Sequence, residues 1–363
     1  MKPTQQLHQL GQSLWLDNIT RDLLNSGALR RYIDELSVTG LTSNPTIFDA
    51  AIGGGHSYDA GIRERARAGL ADEDLFIELA LDDLRRAADM FHPTFEASQH
   101  QDGWVSMEVS PLLASDTRGS IRAARRIHQQ AARPNLFVKI PGTPAGIPAI
   151  EESIFAGVPI NVTLLFSREQ SLAAAEAYMR GIERRLEAGL DPGVRSVASL
   201  FVSRWDVAVK DVVPEALHNR LGVAIGGQVY RAYRDVLASD RWNALSARGA
   251  VPQRLLWAST GSKDPQASDT LYVEALAAPD TIDTMPEKTL LALSRHGAIT
   301  DVMPEDGGDA EATLALFARA GVDVDALAAR LQTEGAAAFV TSWKELLGRI
   351  AEKSTRLAGA RAS

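Results

Sequence analysis

Eight short β-branched or apolar runs, separated by longer stretches of helical periodicity, constrain the fold of this chain more than any other feature. The runs are Leu14–Asp17, Val38–Thr42, Val105–Val109, Leu136–Ile140, Ile160–Leu164, Val197–Val202, Leu255–Ser259 and Thr281–Met285. Strands that alternate with helices pair in parallel, because a parallel pair needs a crossover long enough to hold a helix. Both faces of such a sheet are covered, so its strands read as nearly continuous apolar runs. Two architectures satisfy the pattern: a closed (β/α)8 barrel and an open doubly wound sheet. A barrel uses ~250 residues, and this chain has 363, so a barrel here carries insertions. Pro45–Gly103, Asp206–Arg248 and the tail after Asp301 are the candidates. No linker rich in Pro, Gly or Ser splits the chain, and one domain over residues 1–363 is expected.

The helices between the runs carry their own punctuation. Ser167-Arg168-Glu169-Gln170 reads as a capping box, in which the Ser hydroxyl and the Gln amide each satisfy an orphan backbone donor. The helix it opens places Leu172, Met179, Ile182 and Leu186 at helical spacing and ends near Gly189. Another is expected from Asp72 to Phe91, with Leu75, Leu79 and Met90 among its apolar positions and Pro93 as its stop. From Val322 to Leu357 the tail repeats apolar residues around Leu327, Leu331, Phe339, Trp343 and Leu346. It is expected to pack on the outside of the sheet for most of its length; the competing reading lays it over one barrel mouth. Gly53-Gly54-Gly55 follows no strong strand and lacks the dinucleotide pattern, so it is not read as a nucleotide loop.

Composition removes several function classes. Hydrophobic residues make up 45% and charged residues 23%, enough for a sizeable core. A net charge of -8 argues against a general nucleic-acid binder, which shows a basic face. The absence of cysteine excludes disulfides, thiolate metal sites and thiol nucleophiles. Met1 to Gln12 is polar, without the apolar core of a signal peptide. No apolar run approaches the ~18 residues of a membrane span, and a soluble cytoplasmic protein is expected. His8, His56, His92, His100, His128, His218 and His296 are scattered without the paired spacing of a zinc site, so no metal or cofactor is expected.

The chain uses Arg far more often than Lys, and its lysines are Lys2, Lys139, Lys210, Lys263, Lys288, Lys344 and Lys353. Of these, Lys139 alone interrupts an expected central strand, Leu136-Phe137-Val138-Lys139-Ile140. A lysine buried there costs several kcal/mol unless paired or neutralised. The bland alternative is a strand-end lysine that snorkels to water. Position favours function, because the C-terminal strand ends of a barrel form its active-site face. Lysine there has a use that Arg lacks. Desolvation frees an amine lone pair that attacks a carbonyl, and the resulting imine is an electron sink into which a carbon–carbon bond can break without a metal. Polar residues lie near other strand ends as well: Asp17, Glu108, Asn161, Thr163 and Ser199. Acidic residues are disfavoured in strands, and each taken singly is more often a surface carboxylate. With Lys139 they meet the need for a nucleophile plus acid and base groups on different strands.

Leu16-Asp17-Asn18, Thr42-Ser43-Asn44-Pro45-Thr46, Glu108-Val109-Ser110, Val138-Lys139-Ile140-Pro141-Gly142-Thr143 and Asn161-Val162-Thr163-Leu164-Leu165-Phe166-Ser167 resemble the strand motifs of transaldolases. They occur in the same order as in that family, in its longer bacterial type, and the match continues through Ser199–Arg204 and Trp257–Asp264. Any one motif is weak; the ordered set is specific.

The resemblance implies a (β/α)8 barrel with additional helices. It also implies an enzyme of the pentose phosphate pathway that moves a dihydroxyacetone unit between sugar phosphates. Lys139 would form the Schiff base. Glu108 would handle protons through a water oriented by Thr163, and Asp17 would take and return the proton of the C4 hydroxyl. Asn44, Asn161 and Ser199 would hold the three-carbon unit, and Arg204 the phosphate. Some transaldolases carry an Arg soon after the seventh strand, where this chain reads Ala258-Ser259-Thr260-Gly261-Ser262-Lys263. Lys263 is expected to supply that charge as a point cation, with Ser259 adding a hydroxyl. The expected partners are therefore sugar phosphates, in a monomer or a homodimer. Two rivals remain. A fructose-6-phosphate-type aldolase shares the barrel and lysine, but such relatives are shorter and tend to carry Gln in place of Glu108 and Tyr in place of Phe201. A non-catalytic sugar-phosphate-binding barrel would keep Arg204 with no need of Lys139, Asp17 and Glu108 together.

Overall fold

Each of the eight runs forms a strand: β1 (Ser13–Asp17), β2 (Val38–Thr42), β3 (Trp104–Glu108), β4 (Leu136–Pro141), β5 (Ile160–Leu165), β6 (Ser196–Phe201), β7 (Gln253–Ala258) and β8 (Thr281–Met285). In this computed structural model, which describes residues 1–359, they form a closed barrel in chain order. Every neighbouring pair is parallel, including β1 with β8, so the closed alternative is the one observed. Closure removes the unpaired edges of an open sheet.

Alternate residues on a strand face the same side, and aromatic rings fill the interior beneath the strand ends. Trp15 and Phe137 lie two residues before Asp17 and Lys139, with ring centroids 6.1 Å apart. Phe137 in turn stacks on Trp104 at 4.0 Å. Gly40 on β2 makes room for this layer, since a Cβ there would fall 2.7 Å from the Trp15 indole and from the Trp104 carbonyl.

The stretches expected as insertions are largely helical. Helices Pro45–Gly54, Asp59–Arg67 and Asp72–Ala97 separate β2 from β3, and Ser203–Val209, Leu221–Ala238 and Asp240–Ser246 separate β6 from β7. Helix Arg168–Glu187 starts at Ser167, whose hydroxyl accepts from Gln170 N at 3.1 Å. The Gln170 amide oxygen accepts from Phe166 N at 2.8 Å, one residue outside the expected partner. Leu172 faces outward.

Two expectations are overturned. Pro93 does not stop its helix, which runs on to Ala97. The missing N–H leaves the Asp89 carbonyl without its helical donor, but Asp89, His92 and Pro93 are exposed and water can serve it. Continuing the helix buries Phe95, which meets Trp104 edge-on at 5.2 Å. The tail, expected outside, forms helix Val324–Gly359 and crosses the C-terminal mouth of the barrel. There Gln332 Nε2 donates to Gly142 O at 3.1 Å and to Leu164 O at 2.9 Å, just beyond β4 and within the end of β5. Further along, Arg349 Nε pairs with Asp49 at 2.6 Å, and Lys353 Nζ bonds Gly55 O at 2.6 Å and Asp59 Oδ1 at 2.9 Å. Helical periodicity reports that a face is buried and not what covers it.

Candidate active site

Parallel register puts the polar residues of neighbouring strands side by side at the mouth. Asp17 is opposite Thr42, Glu108 opposite Lys139, Lys139 opposite Asn161, and Pro141 opposite Thr163. Lys139 is 5% exposed, so it does not snorkel to water. Its Nζ donates to Ser43 O at 3.1 Å and lies 3.9 Å from Glu108 Oε2.

Two carboxyl groups share the field of that amine. Burial pushes the Asp17 carboxyl above the ordinary carboxylate range; Lys139 opposes the shift, as does the hydrogen bond from Thr42 Oγ1 at 2.9 Å. Burial likewise raises Glu108, against Lys139, while the Asp17 charge raises it further and Arg204 lowers it. A carboxyl raised in this way holds a proton more readily than it does in water. Glu108 Oε2 and Thr163 Oγ1 are both buried without a hydrogen-bond partner in the protein. Unpaired polar atoms of this kind are uncommon in a folded interior.

Asp17, Asn44, Lys139, Thr163, Ser199, Arg204, Ser259 and Lys263 line one cavity of about 120 Å³. Asn161 lies in the wall, fully buried, where its Oδ1 accepts from Ser199 Oγ at 2.7 Å and its Nδ2 donates to Ser106 Oγ at 3.2 Å. Asn44 caps helix Pro45–Gly54: its Oδ1 accepts from Ile47 N at 3.1 Å. Its amide nitrogen is the half left for a ligand. Ser259 adopts a left-handed backbone, φ 58°, and shares a hydroxyl bond of 2.9 Å with Ser203.

Both expected phosphate cations are at this cavity. The Arg204 guanidinium lies 5.1 Å from the Phe201 ring centroid and 5.8 Å from that of Phe339. Burial pulls its pKa down and Glu108 pushes it up. Lys263 is exposed at the rim, and its charge acts to lower the pKa of Asp17. Among the described residues, no group of three or more His, Cys, Asp or Glu could hold a metal ion.

Sequence reasoning missed Thr42, Thr284 and Phe339, which also line the cavity. Thr42 and Thr284 share a hydroxyl bond of 2.7 Å. Polar residues at strand ends were the available signal for both. Phe339 gave none, because a Phe in an amphipathic helix looks the same whatever it covers.

A family model described as Transaldolase/Fructose-6-phosphate aldolase matches residues 14–350. A protein named "Transaldolase" from Thiobacillus denitrificans is 45% identical over 358 residues, covering 96% of this chain and 100% of that relative. Another of that name, from Arthrobacter sp., is 43% identical and covers 96% of each chain. "Transaldolase 2" of Nostoc punctiforme is 39% identical, again with 96% of each chain covered.

Proposed function

The chain belongs to the transaldolase/fructose-6-phosphate aldolase family, and we propose that it works as a transaldolase, with its transfer running through an imine on Lys139. The observation that carries this reading is the placement of one buried amine in the field of two carboxyl groups, Glu108 buried and Asp17 half-buried, whose pKa values are both raised. The donor is a ketose phosphate, sedoheptulose 7-phosphate or fructose 6-phosphate. The Lys139 amine attacks its C2 carbonyl through the nitrogen lone pair to give a carbinolamine. Glu108, acting through a water that Thr163 orients, supplies the proton with which the C2 oxygen leaves. The product is a protonated imine.

Asp17, as carboxylate, then removes the proton of the C4 hydroxyl. The C3–C4 bond breaks, its electron pair moves into the imine to form an enamine, and an aldose phosphate departs. An acceptor aldehyde phosphate, glyceraldehyde 3-phosphate or erythrose 4-phosphate, takes its place. C3 of the enamine attacks the aldehyde carbon, and Asp17 returns the proton to the new hydroxyl. Hydrolysis of the imine frees Lys139. Asn44 and Ser199, the latter held by Asn161, keep the three-carbon unit oriented during the exchange. Arg204 and Lys263, with the Ser259 hydroxyl, hold the phosphate. Phe201 and Phe339 line the cavity and limit water at the enamine.

Transfer is favoured over simple cleavage because position 108 is Glu and position 201 is Phe. The test is a borohydride trap with fructose 6-phosphate, followed by peptide mass spectrometry, run beside an exchange assay. A reduced three-carbon adduct on Lys139, with exchange far faster than dihydroxyacetone release, is expected. An adduct elsewhere overturns the mechanism, and predominant release makes the protein an aldolase.

A further inference from the structure

The C-terminal helix Val324–Gly359 touches the mouth at two places that bear on the reaction. At the first, the buried amide of Gln332 spends both protons on carbonyls of two different strand ends, Gly142 O at 3.1 Å and Leu164 O at 2.9 Å. Gly142 comes three residues after Lys139, and its own N–H bonds Thr163 O at 2.7 Å. Leu164 follows Thr163 with φ 57°, at an irregularity where the β5–β6 register shifts between Val162 and Leu165. Such a break turns backbone groups away from the ladder. Without a donor from outside, a buried carbonyl there costs free energy. Gln332 therefore fastens the end of the Lys139 strand to the irregular end of the strand that carries Thr163.

At the second place the helix carries Gly335, one turn beyond Gln332. A Cβ at this position would fall 3.0 Å from Arg204 Nη1 and 3.0 Å from Leu164 Cδ2. Glycine inside a helix is disfavoured relative to alanine, so nothing in helix formation asks for it here. Close approach of the guanidinium and of the Leu164 side chain does.

We infer that this helix is a working part of the site: Gln332 is a positioning residue for Lys139 and Thr163, and Gly335 sets where Arg204 lies. The inference rests on the proposed imine mechanism. A chemical end and a phosphate end are thereby set by one element that follows the whole barrel in the chain.

The experiment separates the two ends by their kinetics. Gln332→Met keeps the length and removes both donors. It is expected to lower kcat by about 10²-fold, the scale of a misplaced reacting group, and to slow borohydride trapping on Lys139, with KM within about threefold. Gly335→Ala favours the helix, so its melting temperature should hold or rise, while KM for the sugar phosphate rises about tenfold and kcat is kept. Wild-type protein is trapped in parallel: no adduct on Lys139 there defeats the mechanism itself. With wild-type trapping intact, an unchanged kcat in folded Gln332→Met, or a loss matched by its unfolded fraction, overturns the role of Gln332. If that variant does not fold, Gln332→Asn, one methylene short of both carbonyls, is judged by the same criteria. Loss of folded protein in both makes Gln332 a residue of the fold alone and overturns its role. An unchanged KM in Gly335→Ala overturns the link to Arg204.

Discussion

At the N-terminal end of the barrel, Arg254 sits near the start of β7; at the C-terminal end, Lys139 sits on β4. Each is 5% exposed, and each faces an acidic residue that is 7% exposed. Their surroundings differ. Arg254 Nη2 bonds Ser13 Oγ at 2.7 Å and Thr281 O at 2.9 Å, and Nη1 reaches Asp102 Oδ1 at 3.4 Å. Ser13 Oγ then donates to Asp102 Oδ2 at 2.8 Å, closing a loop that joins β1, β7, β8 and the entry to β3. Lys139 has one hydrogen bond and a long ion pair, and the carboxylate oxygen it faces has no hydrogen-bond partner. A charge held by many partners is fixed in one place. A charge with few partners leaves its nitrogen within reach of a ligand. Burial alone does not separate Arg254 from Lys139, for which an imine is proposed; the number of partners and the end of the strand each occupies do.

The largest effect expected from this contrast is in Lys139→Arg. Arginine keeps the charge but does not form the imine, so steady-state exchange should fall by ~10⁴-fold or more, with the melting temperature nearly unchanged. Turnover above a hundredth of wild type would break the contrast at its catalytic end. Arg254→Met is expected to show the reverse. Leaving Asp102 unpaired costs about 3–5 kcal/mol, read as a lower denaturant midpoint, while turnover per folded molecule is kept. A variant of wild-type stability but poor turnover would show that the lower end also serves chemistry.

The smallest effect concerns Thr42→Val. The Thr42 hydrogen bond favours the Asp17 carboxylate, in opposition to burial. Removing it raises the Asp17 pKa further, so the base form is lost at a higher pH as the medium is acidified. The acidic limb of the kcat profile should move to higher pH, with activity at alkaline pH retained. An unmoved limb, or one shifted to lower pH, would mean that Asp17 does not set it.

The strands were legible because a parallel strand covered on both faces has to be apolar, and the eight runs stand out against helical periodicity. Their ends differ from expectation by no more than two residues. Asp17, Glu108, Lys139 and Thr163 were legible for the complementary reason: polar side chains interrupt those runs at one end. What was not legible depends on which surface meets which. Pro93 looks like a stop until Phe95 is seen to need burial. The tail helix carries the same apolar stripe whether it lies on the wall or over the mouth. Asn44 reads as a sugar-binding amide, although half of it is engaged in capping a helix. Arg254 gave no signal, since nothing in the sequence places Ser13 and Asp102 around it.

The helix across the mouth also gives the site a position in time. Synthesis delivers all eight strands before Val324, and so before Gln332, Gly335 and Phe339. When the helix arrives, it docks on Asp49, Gly55 and Asp59, which belong to the first insertion and are among the earlier parts of the chain to be made. The element that covers the mouth is thus the last part of the barrel protein to be made, and it is fastened to one of the first.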